Sequence, residues 1–276
     1  MLSMTTDYRQ DHGSPEPYLR RIAEAGFSHL HWCHHWNDDF LYADVEIDQI
    51  RQWLDEFGLQ LNDLHASAGI EKRWLSPVAY ERLAGVELVQ NRIEMAARLG
   101  SNVIILHMPV APTAQPARQS FWDAVRRSLE AFQPFACQRG VRIALENLTD
   151  GNFATVRQVL GEYPPEFVGL CYDSGHGNIT GDGLEQLEPV KDRLISLHLH
   201  DNDGIGDDHL PLFAATVDWL KLAGIIARSS YTEMVSLEVS MRHVNSEDEM
   251  VFLKHCRDGG ASFARMIERG RQSPKS

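Results

Sequence analysis

Residues 171–209 read CYDSGHGNITGDGLEQLEPVKDRLISLHLHDNDGIGDDH. Asp173, His176, His198, His200, Asp201, Asp207 and His209 fall within this one stretch. The apolar run FVGLCY leads straight into Asp173-x-x-His176, and LISLHLH closes with an imidazole at every other position. Ionised carboxylate and neutral imidazole form the donor set that zinc, manganese or another divalent cation selects. The stretch predicts a metal site where strands end.

Outward from it, element types alternate along the whole chain. A short run LSMTT precedes Ser14-Pro15-Glu16, a helix start with a cap residue and a proline in the first turn. That helix runs to Ala25 and stops at Gly26. An apolar run at His29–Cys33, a helix over Asp48–Phe57, a strand Leu59–His65, a helix Pro77–Leu99 and a strand Asn102–His107 follow. Next come a helix Phe121–Arg139, a strand Val141–Glu146, a helix Phe153–Leu160, a strand Phe167–Asp173, a short helix Leu184–Val190 and a strand Leu194–His200. A helix from Asp218, a strand Glu233–Val239 and a helix Ser246–Arg269 finish the chain. Eight strand–helix units, with strands roughly 35 residues apart, predict a single-domain α/β (β/α)₈ TIM barrel spanning residues 1–276. A doubly wound sheet would want a glycine-rich turn after its first strand, and none is present.

Barrel strands alternate inward and outward with period two. Val141, Ile143 and Leu145 then face the helices, leaving Ala144 and Glu146 inward. Val235, Leu237 and Val239 face out around Glu238, and Ile195, Leu197 and Leu199 face out around His198. The same phase turns His65, His107 and Asp173 inward at their strand ends. Six consecutive strands thus finish with an inward metal-type ligand at the face where barrel enzymes place their chemistry. Three carboxylates converging there would repel one another without a cation, which separates the site from a merely solvated acidic rim.

The surrounding residues carry two readings each. Asp207 and His209 sit in a Gly/Asp-rich loop of the kind that usually forms turns, yet their spacing lets both reach one ion. His200 and Asp201 are either partners that fix the His198 tautomer or rim residues. His31, Trp32, His34, His35 and Trp36 form either a packed aromatic corner or, with Trp74, a wall for stacking on a sugar ring. The loop at 67–77 is either a lid reaching substrate through Glu71, Lys72 or Arg73, or a solvated face.

Whole-chain properties narrow the function class. No segment is apolar for long enough to span a bilayer, and the start MLSMTTDYRQDHG lacks the basic and apolar regions of a signal peptide, so a cytoplasmic protein is expected. The four cysteines lie far apart with no CxxC, which favours reduced thiols. A net charge of −13 with no concentration of Lys and Arg speaks against nucleic acid as a partner.

LEN at 145–147, YDSGH at 172–176, HLHD at 198–201, DDHLP at 207–211 with VDW at 217–219, and SLEV at 236–239 resemble the xylose isomerase-like barrel superfamily, over roughly residues 15–268. That superfamily holds sugar isomerases and epimerases, inosose-processing enzymes and endonuclease IV. Its ketose 3-epimerases hold one divalent ion on two glutamates, an aspartate and a histidine. The resemblance assigns these to Glu146, Asp173, His198 and Glu238, with His176 contacting substrate. Where those epimerases carry an arginine six residues after the ligand histidine, this chain has Gly204. Endonuclease IV binds three zinc ions, and His65, His107, Glu146, Asp173, His176, His198, Asp207, His209 and Glu238 match its ligand positions.

The expected function is a metal-dependent isomerase or epimerase of a ketose or inosose-type polyol ketone. Glu146 and Glu238 would transfer protons through an enediolate, and His176 would stabilise the oxyanion. The cofactor would be a divalent zinc, manganese or magnesium ion. An endonuclease IV-like multi-zinc phosphodiester hydrolase, and a lyase dehydrating a cyclic hydroxyketone, are the alternatives. By resemblance the protein is expected to form a homo-oligomer.

Overall fold

Eight short runs become parallel strands: β1 (Leu2–Thr5), β2 (His29–Trp32), β3 (Gln60–His65), β4 (Val103–Leu106), β5 (Arg142–Glu146), β6 (Val168–Asp173), β7 (Leu194–His198) and β8 (Val235–Leu237). A computed structural model describes residues 1–9, 12–66, 69, 71–244 and 248–272. The strands pair in the order β7-β6-β5-β4-β3-β2-β1-β8. Closure comes from a parallel bridge between Leu199 and Leu237, in which the Leu199 N–H donates to the Ser236 carbonyl at 3.0 Å and the Glu238 N–H to the Leu199 carbonyl at 3.1 Å. The result is the (β/α)₈ barrel that the spacing predicts.

The helices are α1 (Glu16–Glu24), α2 (Asp44–Phe57), α3 (Ala79–Arg98), α4 (Ala117–Arg139), α5 (Phe153–Glu162), α6 (Ser174–Thr180), α7 (Gly183–Leu187), α8 (Trp219–Arg228) and α9 (Glu249–Gln272). Helix α2 begins four residues before the predicted Asp48, because the Glu46 carboxylate reaches back to accept the Ala43 N–H at 2.7 Å. Helix α6 was not apparent from sequence periodicity; the Asp173 carboxylate caps it by accepting the His176 N–H at 2.7 Å. The predicted start of the last helix, Ser246, lies outside the described residues. Among those residues no helix is long and apolar enough to cross a membrane. Cys33, Cys137, Cys171 and Cys256 are all free thiols, as their spacing predicts.

Two apolar layers follow from the period-two rule. Outward residues such as Ile104, Ile143, Leu145, Leu170, Leu197 and Leu237 pack under the helices in one large core. Inside the barrel, Val103, Ile105, Ala144, Cys171 and Ile195 form a separate small cluster. Ile195 was expected to face out. The register of β6 against β7 shifts at this point, from Leu170 opposite Leu194 to Cys171 opposite Ser196, so β7 holds one extra residue and Ile195 joins the interior. Beyond the bulge the expected phase resumes, with Ser196 and His198 inward. The apolar plug fills the barrel floor and leaves the polar side chains at the carboxyl ends of the strands.

Candidate functional site

β5 and β8 deliver Glu146 and Glu238 to the two sides of a single imidazole nitrogen supplied by β7. Glu146 Oε1 lies 3.1 Å from His198 Nδ1, and Glu238 Oε2 lies 2.9 Å from the same atom. All three side chains are buried or nearly so. The second oxygen of Glu146 lies 3.0 Å from His107 Nε2 and 3.9 Å from His65 Nε2, and His65 Nε2 is also 3.5 Å from Glu238 Oε1. The turn after β5 is held by side-chain amides. Asn152 donates to the Glu146 and Met108 carbonyls, and Asn147 exchanges two hydrogen bonds with the Asp173 backbone, at 2.8 and 2.9 Å. Asn147 thereby laces β5 to β6 at the mouth.

Asp173 stands beside this trio. Its carboxylate accepts the His176 N–H and faces His200 Nε2 at 3.1 and 3.2 Å. His176 Nδ1 links the two groups, 3.6 Å from both Glu146 Oε1 and Asp173 Oδ1. The four residues assigned to one cation thus meet in two touching pieces: Glu146, His198 and Glu238 around one nitrogen, and Asp173 one imidazole away. His200 Nε2 faces Asp173, and among the described residues no bond from it to the His198 ring is found. Asp201 organises the following loop, accepting the N–H groups of Ala215 and Val217 and the Trp219 indole N–H, each at 3.0 Å.

Asp207 and His209 join the site with His176. His176 Nδ1 lies 2.8 Å from the Asn147 carbonyl, which leaves Nε2 facing Asp207 Oδ2 at 3.3 Å. His209 Nδ1 lies 2.6 Å from the Glu238 carbonyl, which leaves its Nε2 3.4 Å from the same carboxylate oxygen. A carbonyl that takes the N–H of one ring nitrogen fixes the tautomer and frees the other nitrogen as a donor to a cation. His209 adopts a left-handed backbone, φ 48°, and its ring stacks on His200 at 4.0 Å. Gly204 has φ 82° in the same loop, a conformation costly for any side chain.

Among the expected wall residues, His31 meets His65 and His198 with ring centroids 4.9 and 4.3 Å apart, and of the three tryptophans it is Trp36 that lies against the site imidazoles. It stacks on His65 at 4.5 Å and meets His107 edge-on at 4.9 Å. Trp32 is buried and donates to the Tyr42 hydroxyl, His34 Nε2 lies 2.9 Å from the Gly13 carbonyl, and Trp74 packs on Phe132. In the loop at 67–77, residues 67, 68 and 70 lie outside the described residues. The Glu71 N–H and the Lys72 ammonium bond Asp39, at 3.2 and 3.1 Å, rather than the barrel mouth.

Cys33 and Asp63 escaped the sequence reading, and His31, expected in an aromatic corner or wall, faces inward with them. His31 Nδ1 lies 2.7 Å from Asp63 Oδ1, deep in the barrel. His31 on β2 and Cys33 just past it alternate with period two, as do Asp63 and His65 on β3, but that period does not place His31 opposite Asp63; the register shift between Leu30 and His31 does.

Electrostatics decide whether a cation suits this donor set. Burial pushes the Glu146 and Glu238 carboxyls up, yet His198, with His107 beside the first and His65 beside the second, holds both well below the usual range. Burial pulls His198 and His176 down, and the surrounding anionic groups more than reverse it, raising both. Burial likewise opposes the charge on His209, but Asp207 and Glu238 lift it to about 10. His65 differs: burial dominates and lowers it to about 4. Buried carboxylates therefore draw positive charge onto the imidazoles, the role a divalent cation takes over when it displaces those protons. His65, His107 and Glu146 offer donor atoms within 4.8 Å of one another, as do Asp173, His176 and His200. The residues fit a metal.

The model of the xylose isomerase-like TIM barrel family matches residues 19–256. The chain belongs to that family. An uncharacterized protein of Sinorhizobium fredii is 34% identical over 256 residues, covering 83% of this chain and 82% of its own. Within the family's fold, a D-tagatose 3-epimerase-like protein superposes with a TM-score of 0.78 at 17% identity, covering 97% of this chain and 98% of its own. An L-ribulose 3-epimerase superposes with a TM-score of 0.77 at 17% identity, covering 100% and 99%.

Proposed function

We propose that this family member is a metal-dependent isomerase or epimerase of a ketose or a cyclic polyol ketone. The observation that carries this reading is the pair of buried carboxylates, Glu146 and Glu238, on opposite sides of His198 Nδ1 at 3.1 and 2.9 Å. Superposition on sugar epimerases supports it. A divalent zinc, manganese or magnesium ion held by Glu146, Asp173, His198 and Glu238 would supply Lewis acidity at the sugar carbonyl and the adjacent hydroxyl. Glu146 and Glu238 approach the substrate carbon from two directions. One carboxylate takes the proton of the C–H next to the carbonyl, leaving an enediolate. The other carboxyl returns a proton to the opposite face, inverting the centre, or to the neighbouring carbon, moving the carbonyl. His176 is not one of the four assigned ligands; its Nδ1 is held by the Asn147 carbonyl, and its Nε2, protonated, would donate to the developing oxyanion. Trp36 offers a half-exposed ring face to the sugar. Glu146→Gln and Glu238→Gln, checked for retained metal, should each abolish solvent-deuterium exchange into ketoses and inososes; exchange retained in both would remove them as proton carriers.

A second reading is favoured by the two flanking clusters, His65–His107–Glu146 and His176–Asp207–His209. With further zinc ions there, the site could deliver hydroxide to a phosphodiester. Metal analysis with an activity readout separates the two readings: about one or two ions per chain with sugar proton exchange supports proton transfer, and about three zinc ions with cleavage of abasic DNA support hydrolysis.

A further inference from the structure

Glu238 faces two different sets of donors. Its Oε2 belongs to the His198 side at 2.9 Å, whereas its Oε1 looks toward β2 and β3. There it lies 3.8 Å from Cys33 Sγ, 3.8 Å from His31 Nε2 and 3.5 Å from His65 Nε2. His31 Nε2 and Cys33 Sγ are 3.2 Å apart, and the four residues offer donor atoms within 4.8 Å of one another. Donors around a tetrahedral zinc, with bonds of about 2.0 Å to nitrogen or oxygen and 2.3 Å to sulfur, stand roughly 3.3–3.5 Å apart. The four shorter separations here, 3.2–3.8 Å, bracket that edge.

The cluster is also braced from outside. Asp63 holds His31 Nδ1 at 2.7 Å and takes the Ser196 hydroxyl on its other oxygen, so His31 Nε2 is aimed at the thiol and at Glu238. A carboxylate behind an imidazole is the arrangement that orients metal-ligating histidines and raises their basicity. Cys33 is fixed through its backbone, whose N–H donates to Thr6 Oγ1 at 2.9 Å. All four side chains are buried or nearly so, and Asp63 adds a further buried carboxylate to be compensated.

We propose that His31, Cys33, His65 and Glu238 form a second cation site bridged through Glu238 to the site described above. The mixed nitrogen, sulfur and oxygen set selects a thiophilic divalent ion, zinc or cobalt(II), over magnesium. As the metal–sulfur bond forms, the Cys33 S–H bond breaks and its proton leaves to solvent. The site rests on the proposed function only through the shared Glu238.

The test is to load the full, metal-stripped, reduced protein with cobalt(II) and read the near-ultraviolet thiolate-to-cobalt charge-transfer band. The band should appear in the unmutated chain, in Cys171→Ser and in Glu146→Gln, and should vanish in Cys33→Ser, with bound cobalt falling from about two ions per chain to about one. X-ray absorption of the zinc-loaded unmutated protein should show sulfur at about 2.3 Å, one per chain and so about half a sulfur per zinc when two ions are bound, which keeps the test valid if Cys33→Ser fails to fold. Cobalt uptake without the band, a band that survives Cys33→Ser, or a zinc shell of nitrogen and oxygen only would overturn the proposal. No uptake at all would overturn both this site and the proposed chemistry. A band in a protein that exchanges no sugar proton would leave this site standing and sink the isomerase reading.

Discussion

His200 faces both oxygens of Asp173 through one nitrogen, at 3.1 and 3.2 Å. The ring occupies space that a side chain at residue 175 would need, since a Cβ built on Gly175 falls 2.0 Å from His200 Cε1. Gly175→Ala should therefore push His200 off Asp173 and weaken metal binding about 10–100-fold, the usual cost of losing an outer partner of a metal ligand. Titration against a metal buffer reads the effect, and far-ultraviolet circular dichroism should stay close to that of the unmutated chain. Unchanged affinity would show that Asp173 needs no support from His200.

Cation uptake should release protons. In the metal-free chain the flanking carboxylates raise His198 above its ordinary range, and a cation that binds at its Nδ1 must displace the proton held there. Apparent metal affinity should rise with pH. Calorimetry in buffers of different ionisation enthalpy should show a net proton release. Because the folded His209 value lies above the unfolded one near 6.5, its stabilising effect is complete below about pH 6.5 and is lost as pH rises through about 10. Metal-free protein should weaken across that alkaline window.

Asp201 is fully buried and holds the loop leading to α8. Asp201→Ala strands the N–H groups of Ala215 and Val217 and the Trp219 indole without their acceptor. Roughly 3 kcal/mol of stability should be lost. The urea midpoint should fall with little change in slope.

Much of the barrel and its mouth was legible because the strand phase is a two-valued property. Once Ala144 and Leu145 are assigned to opposite faces, Glu146 has one place to go, and the same holds for Glu238 and His107. What escaped depended on register between strands, which one strand's pattern does not carry. The bulge that turns Ile195 inward exists only in the pairing of β6 with β7. The shift between Leu30 and His31 likewise sets His31 opposite Asp63. The aromatic run at 31–36 misled for a different reason: burial of Trp32 and exposure of part of Trp36 depend on how the chain turns after β2, and apolar content alone does not record that turn.

The last two strands touch through a single bridge at Leu199 and Leu237, and His198 and Glu238 flank it in the chain. A cation gripped by both would act as a clasp on the thinnest seam of the cylinder. Filling the pocket and keeping the wall shut then become one event, and a chelator would loosen the cylinder first along that edge.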